Sequence, residues 1–87
     1  MVSIQEIEAG LAQAAEHGNT SRQQLMAAVR TLDNMLSQLH AVSAGTGHHL
    51  VSEAIGRCEQ AKRQLEESAG LIHRAGESTR RYAGILG

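Results

Sequence analysis

The chain has 87 residues and a mass of 9.3 kDa, room for one small domain. It has no Pro, Trp or Phe, and Tyr82 is its only aromatic residue, so it lacks the side chains that fill strand-rich cores. Nine acidic against eight basic residues leave a formal charge of −1, and no long-range field gathers nucleic acid or an anionic membrane.

Much of the apolar 41% is alanine, which suits closely approaching helices but gives little bulk for a compact core. The opening segment MVSIQEIEAG carries acids where a general secretory signal has a basic region and an apolar run, so export by that route is not expected. No stretch approaches the roughly 20 apolar residues of a membrane span. Cys58, the single cysteine, has no partner for an internal disulfide, and its apolar spacing reads as a small buried hydrophobe.

From Ile4 the residues Ile7, Leu11, Ala14, Gly18, Ser21, Leu25, Ala28, Leu32, Met35, Leu39 and Val42 follow in alternating steps of three and four, a heptad stripe on a helix over about 3–43. Val29 and Leu36, four beyond Leu25 and Leu32, add a second seam, so the half from Leu25 to Val42 is expected to be the more deeply buried. Gly18-Asn19-Thr20 carries capping-box signals (Thr20 with Gln23, Ser21 with Gln24) that would start a new helix. The heptad register runs through it without slipping, which favours a continuous or kinked helix.

The turn is expected at 44–47, where Ala44-Gly45-Thr46-Gly47 offers two glycines for a left-handed cap and a chain reversal. Beyond it Val51, Ala54, Cys58, Ala61, Leu65, Ser68, Ile72, Ala75, Thr79, Tyr82 and Leu86 repeat the three-four stepping, giving a second helix over about 48–86. The expected fold is all-α: two long antiparallel helices forming a hairpin, assembling into a four-helix bundle because one chain leaves apolar surface unburied.

No catalytic constellation is present: there is no P-loop, dinucleotide fingerprint, nucleophile elbow or metalloprotease helix motif. His48 and His49 sit near the turn with His40, but neighbouring helical residues point about 100° apart. The only metal-type side chain at ligand spacing is Glu53, four after His49, so solvated or capping histidines are expected and no metal. Glu59 with Arg63 and Glu77 with Arg81 have the spacing of exposed helix pairs. No cofactor, small-molecule substrate, nucleic acid or membrane is expected. The candidate site is instead a helix-packing interface of Leu25, Val29, Leu32, Met35, Leu36, Leu39, Leu65, Ile72 and Tyr82, flanked by charges such as Arg57, Arg63 and Glu67, with a second copy or another helical protein as partner.

Two long helices reversing at a glycine-containing AGTGHH segment make the whole chain resemble the Trp-X-Gly (ESAT-like) small type VII secretion proteins and the related helical partners of LXG-type toxins. Where that family has Trp-X-Gly, this chain has Gly45-Thr46-Gly47. Where the family's export signal places an acid four residues after Tyr, Tyr82 is followed by Leu86. The resemblance therefore implies a cytoplasmic helical partner or accessory of a bacterial secretion or toxin system, with the type VII route as its way out if it is exported.

Overall fold

Ser3 opens the first helix: its hydroxyl accepts the Glu6 amide at 3.1 Å, satisfying one of the amide groups a helix start leaves unpaired. In the computed structural model, which describes residues 1–87, α1 then runs unbroken over Ile4–Gly45 and α2 over His49–Leu86, with no strand. The two pack antiparallel into a rod of 64 × 19 × 14 Å. Its radius of gyration is 19.5 Å, against about 12 Å for a compact chain of this length.

The helix continues through Gly18-Asn19-Thr20, as the uninterrupted register favours. Thr20 does not cap a new helix; its hydroxyl donates back to the Glu16 carbonyl at 3.2 Å. A Cβ built on Gly18 would meet Ile72 Cγ2 at 3.7 Å, so this glycine stands where α2 crosses closely.

The reversal is shorter than expected and differently made. Gly45 still belongs to α1, and the turn is Thr46 to His48. No glycine adopts positive φ, so the expected left-handed glycine cap is not used. Instead Thr46 is extended (φ −150°, ψ 139°) and its hydroxyl accepts the His48 amide at 3.3 Å. His48 then caps α2, with Nδ1 accepting the Leu50 amide at 3.2 Å.

The core is a narrow double line. On α1 it follows Leu11, Ala15, Gly18, Arg22, Leu25, Val29, Leu32, Leu36 and Leu39, and only Val29 (4% exposed) and Leu36 (9%) are buried. On α2 it follows Val51, Ile55, Cys58, Lys62, Leu65, Ala69, Ile72, Gly76, Thr79, Ala83 and Leu86, with Cys58 and Ala69 buried. Val29 and Leu36, the residues of the second seam, therefore lie at the centre of the contact inside one chain. The strict three-four seam is corrected by one row: Ala14, Met35, Val42, Ala75 and Tyr82 stand exposed. Burial in the second half of α1 is concentrated on Val29 and Leu36 and does not extend to Val42.

Candidate functional site

A hairpin with two packed rows per helix has two long edges, and antiparallel geometry puts corresponding rows of the two helices on the same edge. One edge is polar. Along it open grooves bring Arg22, Met26 and Arg30 beside Ala69, Gly70 and His73, and His40 beside Glu59, Lys62 and Glu66. Lys62 Nζ reaches Asp33 Oδ1 at 2.7 Å across the helices. That hydrogen bond, and then the Asp33 charge, raise the lysine pKa above its usual value of 10.5. The pair is largely solvent-exposed and contributes little to stability.

The opposite edge carries the rows that the heptad seam counted as core. From α1 it takes Ile7, Ala14, Ser21, Ala28, Met35 and Val42, and from α2 Ala54, Ala61, Ser68, Ala75 and Tyr82. Beyond these lie Gly10, His17, Gln24, Thr31 and Gln38 on α1, and Leu50, Arg57, Gln64, Leu71, Ser78 and Ile85 on α2. Among all the Asp, Glu, Lys and Arg side chains of the chain, Arg57 alone falls on this edge. Its guanidinium is turned back onto Glu53, with Nε at 3.1 Å from Oε1. The edge is thus uncharged over nearly its whole length, with Met35 (50% exposed), Leu71 (54%), Tyr82 (46%) and Ile85 (80%) open to solvent.

Each residue assigned to the interface from sequence now has a place. Leu25, Leu32, Leu39, Leu65 and Ile72 are half-buried between α1 and α2, and Val29 and Leu36 are buried there. Only Met35 and Tyr82 stand on the open edge, outside the intrachain contact. Arg63 and Glu67 lie on exposed α2 rows away from that edge, so of the flanking charges only Arg57 borders it. Leu50, Leu71 and Ile85 fall outside the three-four stepping, and the signal that marks them in the sequence is the charge pattern of the neighbouring rows.

The surface pairs also differ from expectation. Glu53 is held by Arg57, and Glu77 pairs with His73 at 3.0 Å and not with Arg81. Glu59 and Arg63 form no ion pair. The rings of His48 and His49 stack with centroids 4.6 Å apart. No group of three or more His, Cys, Asp or Glu side chains converges anywhere in the chain, and no helix is long and apolar enough to cross a membrane. Comparison with protein-family models, curated proteins and solved structures gave no match.

Proposed function

We propose that the protein is a non-catalytic helix-recognition module, and that the uncharged edge is its working surface. The observation that carries this reading is the segregation of charge. An exposed face of a water-soluble helix ordinarily carries charged residues at solvated positions, and here every charged side chain except Arg57 lies elsewhere. A long, flat, uncharged face with Met, Leu, Tyr and Ile along it fits another pair of helices, whose own apolar stripe would complete a bundle.

The chain's likeness in architecture to ESAT-like proteins and to partners of LXG-type toxins supports a place as partner or accessory in a bacterial type VII secretion or toxin system. It would shield the apolar stripe of a helical client, in the cytoplasm or on the way through that route. The test is co-expression with the helical proteins encoded beside it, using the native chain and Met35→Glu or Leu71→Glu variants. A client that co-purifies with the native chain and is lost with both variants supports the reading. A client retained by both variants places recognition on another surface and defeats it.

A further inference from the structure

Two cations stand in the core rows, and only one of them has a counter-ion. Lys62 on α2 is met by Asp33 at 2.7 Å. Arg22 on α1, half-buried between Ala15 and Val29 along its row, forms no ion pair. A guanidinium drawn in between helices ordinarily has an acid to offset its lost hydration. Arg22 meets further cations instead. It lines a crevice between the helices together with His73 and Arg80, and a wider groove together with His73 and Arg30. No carboxylate lines either of them. His73 is held by Glu77 at 3.0 Å, while Arg30 and Arg80, like Arg22, are unpaired.

The missing counter-ion is therefore one that comes from outside the chain, and the shape of the crevice narrows its chemistry. Gly76 leaves room for Arg80 to fold inward: a Cβ built there would meet the guanidinium Nη1 at 3.5 Å. Asn19, shared by crevice and groove, adds an amide donor. A carboxylate has two oxygens and is satisfied by one guanidinium fork, whereas a phosphate has oxygens enough to be shared by two. The wider groove, of about 600 Å³, runs on from the crevice past Gly70 to Arg30, about 12 Å further along α1 than Arg22. A single phosphate does not span that distance, but a chain of phosphates carries negative charge along it. We infer that the crevice and groove bind an oligophosphate, with one phosphate between Arg22 and Arg80 and the rest of the chain leading toward Arg30. The site lies on the polar edge and does not depend on how the uncharged edge is used.

The experiment is isothermal titration of the full chain with tripolyphosphate, in about 0.15 M salt to screen unspecific attraction. The expected result is saturable one-to-one binding, weakened about tenfold or more in Arg22→Gln and in Arg80→Gln, since each removes a charge-assisted pair. Circular dichroism on every sample checks that the helices are kept, and Arg80, being exposed, supplies the result even if Arg22→Gln loses helix. Arg74→Gln and Arg81→Gln remove the same charge from exposed α2 positions that line neither the crevice nor the groove, and should bind as the native chain does. Adenosine triphosphate titrated alongside separates two sources of the same chemistry: comparable or weaker binding supports a free oligophosphate, and tighter binding supports a nucleotide that carries one. A native chain with no saturable binding overturns the inference. So do equal losses in Arg74→Gln and Arg81→Gln, or citrate bound as tightly as tripolyphosphate.

Discussion

Leu36→Ala separates packing inside the chain from packing between chains, because Leu36 and its neighbour Met35 point to different surfaces. Leu36 is 9% exposed and sits in the centre of the α1–α2 contact, while Met35 is 50% exposed on the uncharged edge. Truncating Leu36 removes three methylene equivalents at about 0.8 kcal/mol each, and solvent lies close enough for the gap to collapse or hydrate. The expected cost is therefore near the low end of the leucine-to-alanine range, about 2–3 kcal/mol. In a domain this small that lowers the melting temperature by on the order of 10–20 °C. Urea unfolding followed by circular dichroism should show this loss at every protein concentration. Met35→Ala should cost under about 1 kcal/mol in dilute protein, with a larger loss only where the native chain is dimeric. A dilute Met35→Ala variant destabilised as much as Leu36→Ala would refute the placement of the core rows.

Other substitutions test other levels of the structure. Gly10, Gly56 and Gly84 lie within helices with open space around the missing Cβ, so Gly→Ala at each should raise stability by about 0.5–1 kcal/mol, additively in urea unfolding. His48→Asp should keep the α2 cap and add an anion at the helix start, a gain of about 0.5–1 kcal/mol, whereas His48→Ala should lose a similar amount. The Lys62–Asp33 pair predicts a pH signature of definite sign. Because the lysine pKa is raised in the folded chain, its contribution is complete below the unfolded value near 10.5 and fades as pH climbs through the higher folded value. The stability difference between the native chain and Lys62→Gln should therefore be flat across neutral pH and shrink in strong alkali.

The hairpin was legible because hydrophobic spacing persists through both helices, and the continuity of α1 because Gly18-Asn19-Thr20 keeps the register. The choice of row was harder. Around Leu25, Leu32 and Leu39, both Ala28 with Met35 and Val29 with Leu36 complete a three-four pattern, and periodicity alone cannot rank them. The fold buries the rigid, branched pair, leaving the alanine half-buried and the flexible methionine exposed. Near the end of α2, Gly76 and Ala83 face α1 in place of Ala75 and Tyr82. Small side chains there allow a close approach, and the Tyr82 hydroxyl stays in reach of water.

The turn misled for a local reason. Two glycines suggest a left-handed cap, but Thr46 and His48 close the reversal with their own side chains, so neither glycine needs positive φ. Ser3 with Glu6 was a capping signal at the start of α1 that apolar spacing does not reveal. The uncharged edge was invisible in either helix read alone. It emerges only when antiparallel pairing sets the Met35 row of α1 beside the Ala75 and Leu71 rows of α2.

The three methionines provide native probes of that edge. Met35 lies on it, Met26 lies on the polar edge, and Met1 lies outside the helices. Methyl resonances of ¹³C-labelled methionine, followed by dilution in the presence of a soluble paramagnetic agent, report each surface separately. On dilution Met35 should pass from protected to accessible as a helical partner leaves the uncharged edge, while Met26 and Met1 stay accessible throughout. Protection of Met26 with Met35 open at every concentration would contradict it.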